Sequence, residues 1–263
     1  MAYIQRSLEK VVEQVTKEYP VVLVTGPRQV GKTTMLKKLM EGSSRGYVSL
    51  DDLNDRALAK NDPELFLQLH KPPVLIDEVQ YAPELFTYIK VYADTHQEPG
   101  AFWLTGSQVF KLMRGVQESL AGRVAVLSMT PLSQSELNGA EVEPFRVDLE
   151  ALLKRENQSK PVDTKGIFER IYRGSMPAIA SGKNTNSQIF YSSYLSTYIE
   201  RDVKELSDAI DALKFLRFMT AVAARCSQML NASDIAQDAD INQKQAKDWL
   251  HILETLGIIF YLH

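Results

Sequence analysis

The sequence predicts an α/β fold: a parallel β-sheet covered by helices on both faces. Two observations predict it. Five apolar runs of strand length recur through the first half of the chain, at 21–25, 46–50, 73–77, 101–105 and 123–129, and helix-like stretches or short loops separate them. The third run, Pro73-Val74-Leu75-Ile76-Asp77, stays apolar until its last residue, the pattern of a strand buried on both faces. Strands that alternate with helices pair in parallel, because each crossover must return to the same edge of the sheet. With 263 residues the chain is long enough for one large domain or two smaller ones, each with a sizeable core.

Each element has its own local reason. The run VVLVT at 21–25 is β-branched. The segment 32–41 places Met35, Leu36 and Leu39 on one face and reads as a helix. Strand-like residues follow at 46–50, then the run at 73–77, a helix over 83–95, the strand AFWLT at 101–105 and the strand RVAVLSM at 123–129. After Pro131 the pattern changes. The segment 136–165 is polar, mixed in charge and holds Pro144 and Pro161, so it reads as a linker or peripheral excursion. From 166 onward the chain reads as helical: long and amphipathic over 188–207, apolar and alanine-rich over 213–228, then two shorter helices over 232–239 and 242–256 joined by a tight turn. Asn231 or Ser233 caps the first of this pair. Ala246, Trp249, Leu253 and Leu256 form an apolar stripe on the second, with Trp249 a core residue. Gly257 ends that helix, and 258–262 reads as a strand.

Composition excludes several classes. Thirty basic and 33 acidic residues leave a net charge of −3, without the basic excess of a constitutive nucleic-acid binder. The single cysteine, Cys226, allows neither an intrachain disulfide nor a cysteine zinc pattern, and a reducing, cytoplasmic setting is expected. The N-terminus is charged every few residues and has no apolar signal region. The longest apolar runs are strand-sized, well short of the ~18–20 residues of a membrane span, so no membrane partner is expected. His70 and His96 have no ligand-spaced partners.

The chemistry is carried by Gly26-Pro27-Arg28-Gln29-Val30-Gly31-Lys32-Thr33, which fits G-x-x-x-x-G-K-[ST] between a strand and a helix. Glycines let the backbone wrap a phosphate without a Cβ clash, and successive amides with the helix N-terminus supply positive potential. Gly26 through Thr34 are the expected nucleotide-binding residues. Lys32 is assigned to the β- and γ-phosphates and Thr33 to Mg²⁺. At the tip of the third strand, Asp77 is placed on a Mg²⁺-bound water, the Walker B role, and Glu78 is placed to polarise the attacking water. No N-K-x-D guanine-reading motif occurs and the Asp77-Glu78-Val79-Gln80 run lacks a switch glycine, so ATP hydrolysis fits better than GTP chemistry. Nucleotide kinases usually lack the second carboxylate. If the fourth strand lies beside the first, Thr105 or Ser107 occupies a γ-phosphate sensor position; the other reading is a plain polar turn. Arg123, in Leu120-Ala121-Gly122-Arg123, is a candidate to stabilise transition-state charge in cis or from a neighbouring subunit, or else a surface arginine. Arg28 and Arg114 are weaker candidates for that role.

These segments also resemble a known family. YIQRSLEKVVEQ, VVLVTGPRQVGKTTML, PPVLIDEVQYAPELF, FWLTGSQ, SLAGRVAVLSMTPLSQSE, YRGSMP and YLSTYIERDV are similar, in order, to prokaryotic AAA-like P-loop ATPases. The resemblance implies Lys32 and Thr33 on nucleotide and Mg²⁺, Asp77 and Glu78 in the Walker B roles, Ser107 in the sensor segment, Arg123 in a shared L-A-G-R segment, and Tyr3, Ile4 and Arg6 flanking the adenine. It implies a winged-helix module after the core and then a nuclease-like domain. The chain ends at His263, where only the first strand of a wing is expected.

The predicted architecture is therefore a three-layer P-loop NTPase core with a central parallel sheet over 1–140, a linker over 141–165, a helical lid over 166–228 and a truncated winged-helix-like module over 229–263. The predicted function is Mg²⁺-dependent ATP binding and hydrolysis that drives a conformational switch or an oligomeric assembly. The expected partners are ATP, a second copy of the chain and a protein client. Two alternatives belong to other classes: a DNA-dependent, helicase-like motor, and a regulatory module that holds ATP without significant turnover. Gln243, Lys244, Lys247 and His251 form an outward face that suits DNA. Against this, residues 229–263 hold Lys244 and Lys247 against Asp234, Asp238, Asp240, Asp248 and Glu254, which disfavours a phosphate footprint.

Overall fold

The computed structural model describes residues 3–107, 116, 119–140, 146–158, 161–199 and 211–262. Helix α1 (Leu8–Val15) precedes β1 (Val21–Thr25), α2 (Lys32–Leu39), β2 (Gly46–Ser49), α3 (Leu53–Asn61), α4 (Pro63–Leu69), β3 (Val74–Asp77), α5 (Leu85–His96), β4 (Phe102–Gly106) and β5 (Val124–Ser128). The five strands form one all-parallel sheet in the order β2-β3-β4-β1-β5. All five strands lie within a residue or two of the predicted runs. Helices α3 and α4 were not foreseen. They start on aspartate caps: Asp52 accepts from the amides of Asn54 and Asp55, and Asp62 accepts from Leu65 ahead of Pro63 at the first helical turn.

Both faces of the sheet are buried, and residue alternation separates two cores. Val22, Val24, Leu75 and Trp103 face one side with Met35 and Leu36 of α2. Val21, Leu23, Ile76, Phe102 and Leu104 face the other with Phe66, Leu85, Phe86 and Ile89. Each such side chain contributes ~1.5–3 kcal/mol on burial. The strand order sets the site. β4 lies between β1 and β3, with Leu104 opposite both Leu23 and Ile76. The carboxyl tips of three strands thus stand at one level, about 5 Å apart from strand to strand.

After β5 come α6 (Gln134–Leu137), α7 (Leu149–Gln158), α8 (Thr164–Arg173), α9 (Pro177–Ala180), α10 (Ser187–Tyr194), which runs into a π-helical turn at Leu195–Ile199, then α11 (Ala212–Ala224), α12 (Ala232–Asp238) and α13 (Gln243–Thr255). The segment expected as a linker contains helix α7. Its leucines at 149, 152 and 153 are exposed. The predicted long helix over 188–207 is described only to residue 199. Asn231 caps α12, accepting from the amides of Ser233 and Asp234. Trp249 is core, edge-on to Phe215 at 5.1 Å and to Phe218 at 5.3 Å. The strand expected at 258–262 is absent: the backbone there is irregular, and no neighbouring strand pairs with it among the described residues. Ile258 and Ile259 pack on the core instead, and Phe260 and Leu262 are exposed. That core is continuous from the sheet face through α11 to α13.

Candidate functional site

The loop between β1 and α2 is shaped by residues that tolerate positive φ. Gly26 sits at φ 138°, and a Cβ there would come 2.2 Å from the Met129 carbonyl oxygen, so no other residue fits. Gly31 at φ 97° opens α2 without a side-chain cap, leaving the first-turn amides facing the cleft. Gln29 is left-handed as well, at φ 61°. Buried Lys32 arches back over the loop, its Nζ donating to the carbonyls of Gly26 at 2.9 Å and Pro27 at 2.8 Å. A lysine cation at the uncapped N-terminus of a helix is a receptor for phosphate oxygens.

Opposite the loop stand the tips of β3 and β4. Asp77 Oδ1 accepts from Thr33 Oγ1 at 2.7 Å and from Thr105 Oγ1, and its Oδ2 accepts from Tyr47 OH at 3.2 Å. The Thr105 hydroxyl accepts in turn from the Glu78 amide at 3.1 Å, so one buried hydroxyl ties both carboxylate residues to β4. Glu78 is left-handed, at φ 56° and ψ 44°. For a residue with a Cβ this costs about 1–2 kcal/mol, and such strain concentrates at functional sites. The Glu78 carboxylate accepts from Gln80 Nε2 and, at 3.4 Å, from Ser107 Oγ. Asp77 and Thr33 together offer hard oxygen donors of the kind Mg²⁺ takes alongside phosphates and water, so the residues fit that ion.

The cleft has a volume of about 990 Å³, a size that holds a nucleotide. Tyr3, Ile4 and Arg6 form part of its wall, and Pro177, Ala178 and Phe190 close it from the helical side. Arg6 fastens the N-terminal segment to the loop. Its Nη1 donates to the Val30 carbonyl at 2.7 Å, its Nη2 to the Thr130 carbonyl at 2.6 Å, and its Nε lies 3.2 Å from Glu136 Oε1. Both partners of this ion pair are buried. Burial pushes the Glu136 carboxyl up. Hydrogen bonds from the Ser133 and Ser7 amides and the Ser7 hydroxyl, with the Arg6 charge, outweigh that and hold it below the usual carboxylate range. Burial, with the hydrogen bond to Glu9, raises the Tyr3 phenol well above its ordinary value. On the far wall, Tyr194 OH donates to the Arg28 carbonyl at 3.3 Å. Gly257, at φ 69°, lies so close that a Cβ would come 2.9 Å from Pro27 Cγ.

The structure thus brings Lys32, Thr33, Asp77, Glu78, Thr105 and Ser107 together. It does not bring Arg123. That residue precedes β5, and its carbonyl accepts from the Val21 amide at the amino edge of the parallel sheet. The phosphate loop leaves the carboxyl edge, about 16 Å away along a five-residue strand. Arg123 instead pairs with Asp94 of α5 through both Nε and Nη2. The cis role therefore fails on topology: two residues beside the same sheet are at opposite ends of it. Arg114 lies outside the described residues. Arg28 lines the cleft with the loop residues from Gln29 to Thr34, whereas Gly26 and Pro27 are not in its lining. Sequence reasoning missed Tyr47, Gln80, Glu136 and the 177–197 wall. Only Glu136 had a readable signal, the Ser133-x-x-Glu136 capping box, which the structure forms.

Comparison with known proteins agrees with this geometry. Residues 18–138 match a family described as an AAA domain, and residues 164–263 match a domain of unknown function, DUF8612. The chain is 30% identical over 236 residues to uncharacterized proteins of Mycobacterium tuberculosis and Mycobacterium bovis. The match covers 89% of this chain and 47% of those proteins, so the chain spans about half the length of the curated relatives it matches. Among solved structures, a Walker-type ATPase of Pyrococcus abyssi has a similar fold, with a TM-score of 0.55 and 15% identity over 97% of this chain and 90% of that one. The AAA domain and P-loop fold are those of nucleotide-binding ATPases. Among the described residues no helix is long and apolar enough to cross a membrane. The phosphate loop, the paired carboxylates and the intervening β4 agree with that match: residues 18–138 are an AAA domain with the P-loop ATPase fold.

Proposed function

We propose that the chain binds Mg·ATP in the cleft between the phosphate loop and the 177–197 wall and hydrolyses it, using the cycle to switch its own conformation or that of an assembly. One observation carries the reading: the order β2-β3-β4-β1-β5 sets Thr105 and Ser107 between Lys32 on one side and Asp77 and Glu78 on the other. Lys32 and the loop amides bind the phosphates. Thr33 and Asp77 would hold the metal, which when bound neutralises charge on the phosphate oxygens. Glu78 orients the attacking water and takes its proton, while Ser107 fixes that carboxylate. The switch reading is supported by the contacts that tie the loop to the rest of the chain: Arg6 on Val30, Tyr194 on Arg28 and Gly257 against Pro27.

For partners we favour a protein client or a second copy over DNA, in a cytoplasmic setting. The exposed face of α13 mixes Lys244 and Lys247 with Asp248 and Glu254, and His251 Nδ1 lies 3.7 Å from Glu254, so no basic stripe forms. On this reading α12 and α13 are a winged-helix-like module used for protein contact. Phosphate release from ATP with and without Mg²⁺, repeated with added duplex DNA, tests the assignment. The expected result is Mg²⁺-dependent release that DNA does not stimulate. ATP binding without turnover would leave a regulatory module, and strong stimulation by DNA would make the chain a motor.

A further inference from the structure

Gln80 sits two residues past Glu78 in a 3₁₀ turn, Val79–Tyr81, that the fold holds firmly. Val79 is fully buried, Gln80 is 6% exposed, and the turn closes through the Tyr81 amide to the Glu78 carbonyl at 3.1 Å. The amide nitrogen of Gln80 donates to Glu78 Oε2, and Ser107 Oγ reaches the same oxygen from β4. An ionised carboxylate only accepts, so the nitrogen must face it, and this chemistry sets the orientation of the Gln80 amide. Its carbonyl oxygen then points away, buried and without a partner among the described residues. A buried acceptor left unpaired is unfavourable. A leucine of similar volume would fill the position without that defect. Packing therefore does not account for a glutamine here, whereas its bond to Glu78 does.

The Glu78 side chain needs such support. Its backbone is left-handed and its carboxylate ends a chain of rotatable bonds at the wall of the cleft. Two donors on Oε2, one from its own turn and one from the neighbouring strand, restrain it and leave Oε1 for the cleft. We infer that Gln80 is a positioning residue that pins one oxygen of Glu78 so that the other meets the attacking water. The inference rests on the hydrolytic reading above. In that reaction the water oxygen bonds to the γ-phosphorus, the bond to the ADP oxygen breaks, and the water proton passes to Glu78 and then to solvent.

The test is a cycle of Gln80→Leu with Glu78→Gln, reading kcat, KM, ATP affinity by calorimetry and melting temperature. Gln80→Leu should lower kcat by roughly 10- to 100-fold, the usual penalty for a misplaced catalytic group. ATP affinity should stay within about twofold, and melting should not fall. In the Glu78→Gln background the same change should alter turnover by no more than about twofold, because the group it acts through is gone. Should Gln80→Leu not fold, Gln80→Met keeps the length but has no donor, and the same kcat loss is expected. Parent-like kcat in the folded variant overturns the role, as does an equal fold-loss in both backgrounds. A parent chain that binds ATP but never turns it over overturns the hydrolytic reading and this role with it, and is recognised before any variant is made.

Discussion

The Arg6→Ala substitution tests how the N-terminal segment holds the nucleotide loop. Arg6 is 6% exposed and makes charge-assisted contacts to the Val30, Thr130 and Pro131 carbonyls and to Glu136. Removing one partner of a buried ion pair costs about 3–5 kcal/mol. The Glu136 carboxylate keeps its donors from Ser7 and Ser133, which puts the expected loss near the lower figure. At ~2–4 °C per kcal/mol for a protein of this size, the melting temperature should fall by roughly 6–12 °C. The Val30 carbonyl belongs to the phosphate loop, so ATP affinity should fall as well. Scanning calorimetry with and without Mg·ATP reads both effects. The pH dependence gives a second check. The folded Glu136 carboxyl is held below its ordinary value, so its stabilising contribution is complete above the unfolded value of about 4.3 and is lost as pH falls through the lower folded value. Glu136→Gln should therefore narrow the stability gap between pH 7 and pH 3.5. A folded Arg6→Ala protein that melts within about 2 °C of the parent and binds ATP equally well would refute the latch.

Lys32→Ala should abolish measurable ATP binding by calorimetry while the chain still folds, because alanine is a good helix former at the start of α2 even though the bonds to the Gly26 and Pro27 carbonyls are lost; retained affinity would sink the loop assignment. Glu78→Gln should keep Mg·ATP binding and lower turnover by roughly 10²–10⁴, whereas Asp77→Asn should weaken the Mg²⁺ dependence of a titration. Arg123→Ala, at the opposite edge of the sheet, should turn over ATP at the parent rate in dilute protein, and a loss there would return this residue to the site in cis. If Arg123 acts from a neighbour, the defect should appear only as concentration rises and be rescued by mixing with Lys32→Ala protein. Gly257→Ala should melt lower, since the new methyl meets Pro27 in a backbone conformation that disfavours a Cβ.

The local sequence determined the sheet and the phosphate loop. Apolar runs with both faces buried need no partner to be recognised, and Gly26 and Gly31 stand where the backbone takes conformations that other residues resist. The chemistry of Lys32, Thr33, Asp77 and Glu78 was legible for the same reason: a motif joins adjacent residues whose spacing is set by one strand, one turn and one helix. What lay between distant segments was not legible. The strand order alone decided that Thr105 and Ser107 reach Asp77 and Glu78, whereas Arg123 lies at the far edge because it precedes β5, and parallel strands all enter the sheet at the edge opposite the phosphate loop. The Arg6 latch joins residues more than a hundred positions apart, and Gln80 declared itself only by the oxygen it touches and the one it leaves bare. The missing strand after Gly257 makes the same point from the other side. A run such as Ile258-Ile259-Phe260 carries strand propensity, but a strand exists only where another chain segment accepts its hydrogen bonds.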